Sequence, residues 1–357
     1  MTRPFRGPRL LLVSMYPLDQ GRWGPTVRIA NLRDQLGDRV PLDVVSGYRG
    51  ARRIGLARYA FSGRLRGLAG IYVESSSFLP SETDIAFLAL ARALGLPVLT
   101  YIRDAYQLFP EYYAASSVRR RIGAALFRPA FRALAAVSTR LAFPSAGLAA
   151  AVGADPARIL RLPPGSPAPV DVPARVGANR LLFVGNGRDA IQGGPRLLRA
   201  IELARASGTP VELTVVSRPG EEPPGPHPPW LRVVRAEGDE IVRLLPDVIA
   251  TVIPRPRSPY NDLAVPIKLY DYLAFGRPLL VTDCIEQAAV VRAADAGLVV
   301  GDDPEAIADG VRRLVDAGPA GRQRWADSAA RAAAAQSWSA RAEEILGALG
   351  VARSADG

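Results

Sequence analysis

The chain has 357 residues, 48% of them hydrophobic, and 45 basic against 34 acidic side chains give it a net charge of +11. That length suits about two domains, each large enough to bury a core. One cysteine, Cys284, excludes an intrachain disulfide and fits a reducing cytoplasm, and one histidine, His227, sits among prolines 223–229, so neither a His/Cys metal cluster nor a histidine base is expected.

Near the start, Leu10 to Val13 form an apolar run too short for the core of a secretion signal, and no stretch approaches the ~18 apolar residues of a spanning helix. From there β-branched and Leu-rich runs alternate with helically spaced segments, the pattern of parallel sheets covered on both faces. In the first part, strands are expected at 9–14, 42–46, 71–74, 98–103, 136–143 and 158–162. Helices are expected at 26–36, 81–94, 116–134 and 145–152, several opened by a serine or threonine cap. The charge concentrates here: residues 1–140 hold 21 arginines against 9 carboxylates, and the remainder is nearly neutral. Much of the excess lies in 49–66 and in 119–132, where arginines mix with Ile122, Leu126, Phe127 and Phe131. Such a stretch suits an anionic membrane surface, and an arginine-rich solvated face gives the same pattern. A nucleic-acid site would call for base-stacking aromatics among the arginines, and no nucleic acid is expected.

Five prolines between 163 and 173 mark a linker. Beyond it strands are expected at 180–184, 211–216, 231–234, 248–253, 278–282 and 298–300, and helices at 195–206, 240–245, 267–275, 286–294, 304–315, 321–335 and 340–349. The expected organisation is a Rossmann-like domain over 1–165, a linker over 166–178, a second Rossmann-like domain over 179–335 and a closing helical segment over 336–357.

The most informative stretch runs from Val265 to Asp283 and reads as loop, short helix, glycine stop and buried strand. Pro266 suits the start of the helix, while Gly276 and Pro278 mark its end. Lys268 and Asp271 lie three residues apart, hence on one face near the helix N-terminus, where free amides and the positive dipole end favour an anion. Lys268 is also the only lysine of the chain; the other 44 basic residues are arginines. A compact ammonium on a flexible stem does what a guanidinium fork does not, which is a reason for this position to escape the bias. Ammonium, amides and carboxylate together suit a nucleoside diphosphate.

The segment Pro266-Ile267-Lys268-Leu269-Tyr270-Asp271-Tyr272-Leu273-Ala274-Phe275-Gly276-Arg277-Pro278 resembles the P-x-K-L-x-E-Y-L-A-x-G-x-P segment of the retaining nucleotide-sugar glycosyltransferases of GT-B fold, also called family 4. Ala296-Gly297-Leu298-Val299-Val300 and Asp303-Pro304-Glu305-Ala306-Ile307 continue the resemblance, and Phe183-Val184-Gly185, the 21–36 loop and helix and Trp338-Ser339 extend it over nearly the whole chain. The resemblance implies an α/β protein with two doubly wound domains facing across a cleft and a last helix that packs back on the first. It implies a nucleoside-diphosphate sugar as donor and a hydroxyl on a glycan, a lipid-linked or a small molecule as acceptor. Transfer would proceed with retention, the leaving phosphate assisting the acceptor, without metal or other cofactor. In that scheme Asp271 takes the place of the acidic residue that binds the donor ribose, and Lys268 sits by the diphosphate. Amides at the start of the helix, around Leu269, add to that site. Gly24 lets backbone approach the donor phosphates or the acceptor.

Departures from the pattern bear on mechanism. Eight positions before Asp271, where many members carry a second acidic residue, stands Leu263, with Asn261 and Asp262 as neighbouring substitutes. The family's basic pair, Gly-Arg and then Lys-Gly, reads Gly185-Asn186 and Gln192-Gly193, and Arg188 is the candidate to supply the missing charge to the leaving phosphate. In the first domain Arg103, Asp104 and Glu111 follow a strand, as does Glu74. Asp104 is a candidate to orient an acceptor hydroxyl or the donor sugar, or to cap the next segment. A peripheral place on the inner face of the cell membrane follows from the basic first domain. Two other readings stand beside transfer: a GT-B epimerase or hydrolase, and a basic GT-B-fold protein that binds lipid or nucleic acid without turnover.

Overall fold

The structure, a computed structural model, describes residues 8–18, 24–77, 79–109, 113 and 117–351, apart from the side chains of Gly24 and Arg119. The chain divides into two compact units, residues 1–165 with 338–357, and residues 166–337.

In the first unit the elements run β1 (Arg9–Ser14), α1 (Gly24–Gly37), β2 (Leu42–Ser46), α2 (Arg49–Phe61), β3 (Leu68–Glu74), α3 (Glu82–Ala93), β4 (Val98–Tyr101), α4 (Val118–Ala136), β5 (Arg140–Phe143), α5 (Ala146–Val152) and β6 (Ile159–Arg161). The strands form one parallel sheet ordered β2-β1-β3-β4-β5-β6. Continuous apolar strands such as Leu10 to Val13 are what a sheet covered on both faces requires, and these four residues are buried. The second unit runs β7 (Arg180–Val184), α6 (Gly194–Ala206), β8 (Glu212–Val216), β9 (Leu231–Val234), α7 (Asp239–Val242), β10 (Val248–Ile253), α8 (Ile267–Ala274), β11 (Leu279–Thr282), α9 (Ile285–Ala294), β12 (Gly297–Val300), α10 (Pro304–Asp316) and α11 (Gly318–Ala335). Its sheet is again parallel, ordered β12-β11-β10-β7-β8-β9, with one core on each face. The last helix, α12 (Trp338–Ala348), belongs to the first unit, where Trp338, Ala342, Ile345 and Leu346 join the core of α1 and β1.

The proline-rich segment is part of the second unit. Val170 N donates to Ala274 O at 2.8 Å, and Arg175 N to Pro246 O at 2.7 Å. Nearby, Arg277 is buried and its guanidinium is spent on the carbonyls of Val248, Leu245 and Val172, so the arginine in the Gly276-Arg277-Pro278 turn is a tie between segments.

Two expectations change. The basic run 49–66 contains a helix, α2, which buries Arg52, Leu56 and Tyr59 at helical spacing. Arg52 holds a core position by a two-pronged bond to Asp84 of α3, at 2.7 and 2.8 Å. Within 119–132, Phe131 is buried and stacks on Phe127, so these aromatics face the core, and the exposed apolar side chains of α4 are Val118, Ile122 and Leu126.

Candidate functional site

In the second unit the carboxyl ends of β7 and β10 meet the first turn of α8. After β7 the chain passes Gly185 to Gly193 and enters α6. This turn is tight: at Gly193, with φ of +83°, an added Cβ would lie 1.8 Å from Pro254 O, just past β10. Only glycine allows that approach. A Cβ at Gly185 would lie 2.6 Å from Gln192 Oε1 and 3.1 Å from Lys268 Nζ, so the Lys268 head and the Gln192 amide roof the backbone there.

The α8 helix is fixed from below by Leu269, Tyr270, Tyr272 and Leu273, all buried. Tyr272 Oη accepts from Val184 N at 2.7 Å and pins the end of β7 to the helix. Pro266 precedes the first turn and offers no side-chain cap. The Lys268 stem crosses back over β7, and Nζ donates to Val184 O at 3.2 Å and Gln192 Oε1 at 3.4 Å, 4.7 Å from the centre of the Phe183 ring. Neutral oxygens and a ring face hold this cation, and no carboxylate among the described residues pairs with it. Burial, helped by the neighbouring Arg255 and opposed by Asp189, brings its pKa down to about 7.

Asp271 stands one turn on. Among the described residues its carboxylate has no hydrogen-bond or ion-pair partner, Lys268 included, and burial pushes its pKa up to about 7. The helix therefore places the two groups on one face without joining them.

The other expected site residues are placed differently. The Leu269 side chain is wholly buried and its amide donates to Pro266 O at 3.1 Å, so it has nothing to offer a ligand. Asn261 is buried and its amide donates to Pro256 O and Ile191 O, which ties two loops. Asp262 accepts both prongs of Arg257, at 2.6 and 2.9 Å. Exposed Arg188 donates from Nε to Glu222 O at 2.7 Å and lines a surface groove with Pro195, Leu198 and Pro224. Gly24 opens α1, and the residues before it, 19–23, lie outside the described residues, as does Glu111.

Sequence reasoning passed over Arg255. It follows β10 by two residues and neighbours Lys268, and its Nε and Nη1 are shielded from water with no hydrogen-bond partner among the described residues. One arginine among 44 in a Pro-Arg-Pro-Arg run carries no compositional signal; its place just past a fully buried parallel strand does.

In the first unit, charged groups gather at the carboxyl ends of β1, β3 and β4. Glu74 is fully buried: Oε1 accepts from Arg28 Nε at 3.0 Å and from Tyr72 Oη, and the Arg28 guanidinium lies 3.7 Å above the Tyr101 ring. Contact between Glu74 and an acceptor is therefore ruled out by burial. Asp104, also buried, accepts at Oδ2 from Ser77 Oγ at 2.8 Å, and Ser77 N donates to Tyr16 Oη at 3.1 Å. Its Oδ1 has no hydrogen-bond partner among the described residues. Burial outweighs the nearby Arg103 and raises the Asp104 pKa to about 6.

Residues 178–317, most of the second unit, match the family of glycosyl transferases group 1. No curated protein sequence matches. Among solved structures the chain is similar to a sucrose-phosphate synthase from Thermosynechococcus elongatus, with a TM-score of 0.63 at 14% identity over 95% of this chain and 97% of that one. It is similar to an α,α-trehalose-phosphate synthase from Burkholderia xenovorans in complex with glucose-6-phosphate, at 0.63 and 14% over 96% and 100%. It is also similar to Anabaena HepE in complex with UDP, at 0.65 and 11% over 96% and 99%. Residues 178–317 of the second unit thus match the group 1 glycosyl transferases, and the chain as a whole has the two-domain GT-B fold of these solved structures.

Proposed function

We propose that this enzyme moves a glycosyl group from a nucleoside-diphosphate sugar to a hydroxyl acceptor with retention of configuration. The observation that carries this reading is the pair on α8. Among the described residues Lys268 is a partly buried cation paired with no carboxylate, and Asp271 is a carboxylate with no donor. Lys268 meets the diphosphate and Asp271 accepts from the ribose hydroxyls, each supplying what the other end of the nucleotide needs. HepE solved with UDP, and again with UDP and glucose, supports a nucleotide donor.

As the glycosidic bond breaks, negative charge grows on the leaving phosphate, and a preorganised cation stabilises that charge without reorganisation. The leaving phosphate itself takes the acceptor proton, so the chemistry requires neither a histidine nor a metal. Asp104, ionised at neutral pH, orients the acceptor hydroxyl through Oδ1.

Thermal-shift and calorimetric titration with UDP, GDP, ADP and their sugars tests the reading in wild type, Lys268→Ala and Asp271→Ala. One nucleotide should raise the melting temperature of wild type and do so much less in both variants. Equal binding by all three proteins overturns the assignment.

The exposed face of α4 favours a second feature. Val118, Ile122 and Leu126 recur every four residues, and the helix carries Arg120, Arg121, Arg128 and Arg132 with no acidic residue. This face rests on an anionic membrane surface and holds the enzyme at the cytoplasmic side, within reach of lipid-linked acceptors.

A further inference from the structure

We infer that Arg255 and Lys268 together form the seat of the donor diphosphate, so that the basic pair missing from positions 186 and 192 is supplied in this chain by residues from two other elements. The inference rests on the nucleotide-donor reading and assigns it a residue, Arg255, that the sequence pattern does not mark.

Three observations converge. First, the turn after β7 offers no charge where the resemblance leads one to expect two. Asn186 uses Oδ1 to accept from the amides of Arg188 and Asp189, and Gln192 uses Oε1 to accept from Lys268 Nζ. Gln192 thus marks where a lysine head would lie, and the Lys268 head occupies the adjoining space. Second, Arg255 is set against this turn. It follows Pro254, whose carbonyl presses on Gly193, and Thr282 Oγ1 donates to the Arg255 carbonyl at 2.5 Å, which fixes its backbone. Third, the charges are uncompensated. Among the described residues the Arg255 guanidinium has Nε and Nη1 out of water with no acceptor, beside a second partly buried cation whose hydrogen bonds go to neutral oxygens.

Such an arrangement is unfavourable in the free protein. Other buried guanidinium groups of this chain have their N–H groups matched, Arg52 and Arg28 to carboxylates and Arg277 to a set of backbone carbonyls. Two neighbouring cations without one repel each other and lack hydrogen-bond acceptors, and a diphosphate bridging them removes both penalties. A guanidinium offers a planar fork and an ammonium a movable point charge, so the two divide the oxygens of the phosphates between them.

The test uses the full chain and calorimetric titration with UDP, GDP, ADP, their nucleosides and inorganic pyrophosphate. Arg255→Gln should weaken the nucleotide that binds, and pyrophosphate with it, by roughly ten- to a hundred-fold, while the corresponding nucleoside is unaffected. The same variant should move the alkaline fall of nucleotide affinity to higher pH, since Lys268 loses its cationic neighbour; that shift reports the nearness of the two charges, and the loss of pyrophosphate affinity reports the contact with phosphate. Adding Gln192→Lys to Arg255→Gln should restore binding by returning an ammonium to the turn, which separates a lost charge from a lost fold. Unchanged nucleotide affinity in Arg255→Gln, or a loss found only in Arg188→Gln, overturns the seat and leaves the donor reading intact. Pyrophosphate uptake through Arg255 with no response to any nucleotide overturns the donor reading and keeps an anion seat.

Discussion

Each unit holds cationic side chains at the carboxyl ends of a parallel sheet, and the two sets differ in what surrounds them. In the first unit Arg28 is fully buried, bonded to Glu74 and stacked on Tyr101. In the second, Lys268 and Arg255 are partly buried and neither forms an ion pair with a carboxylate among the described residues, although Asp189 lies near enough to act on Lys268. Burial of a charge is therefore no guide to function by itself. The better guide is whether the polar atoms are satisfied: Arg28 and the carbonyl-bound Arg277 are parts of the fold, whereas the unsatisfied Arg255 beside Lys268 is suited to a ligand. This difference gives the largest expected effect. Arg28→Leu leaves Glu74 charged in the core and should reduce the unfolding free energy by about 3–5 kcal/mol. Arg255→Leu removes a like-charge neighbour and should leave stability unchanged or raise it. Urea unfolding of the two variants reads both signs, and equal losses would erase the distinction.

The sequence displayed the sheets well because parallel strands buried on both faces are unbroken apolar runs. Val248 to Ile253 is one such run, and every residue in it is buried. It hid α2, because one of the residues that make its inner face is Arg52, and a polar letter at a core position breaks the apolar period. The candidate site was legible where residues lie three apart on one helix, as Lys268 and Asp271 do. It was not legible where residues come together from distant positions: Arg255 and Lys268 are neighbours through the packing of the β10 end against α8. Asn261, Asp262 and Leu269 show the converse, since nearness in sequence to Asp271 said nothing of their being committed to carbonyls, to Arg257 and to the core.

The second unit's unpaired groups also predict a pH signature. Lys268 must be charged to meet phosphate, and with its pKa near 7 the free protein holds a largely neutral amine at pH 9. Binding then takes up a proton, so affinity falls above pH 7, by up to about tenfold per pH unit. Asp271 must be ionised to accept from hydroxyls, and with its pKa also near 7 affinity falls below that pH. Nucleotide binding should therefore peak near neutrality, and Asp271→Asn should flatten the acid side. A monotonic profile from pH 5 to 9 in calorimetry would contradict the assignment of these two groups.

In the first unit Asp104 is a buried carboxylate with one oxygen, Oδ1, unsatisfied among the described residues. Asp104→Asn removes a half-satisfied buried carboxylate and should not lower the melting temperature. If Oδ1 holds the acceptor hydroxyl, the variant should raise the acceptor KM about tenfold and abolish an acid limb near pH 6 in kcat/KM, with donor binding unchanged. Initial rates with the acceptor varied decide this, and a variant with wild-type KM and pH profile returns Asp104 to the role of a loop tie.

The smallest effect concerns α4, where the apolar stripe and the arginines act together. Each basic residue near an anionic surface contributes about 1 kcal/mol, and a single exposed aliphatic side chain contributes less than full burial would give. Ile122→Asp puts a negative charge at the centre of the stripe and should weaken sedimentation with vesicles containing phosphatidylglycerol several-fold, with no change on neutral vesicles. Because Ile122 is 53% exposed, the substitution should leave the melting temperature in place. Salt separates the two contributions: raising ionic strength should release a protein held by arginines alone, whereas one whose stripe enters the interface should keep part of its binding, and the variant should lose that part.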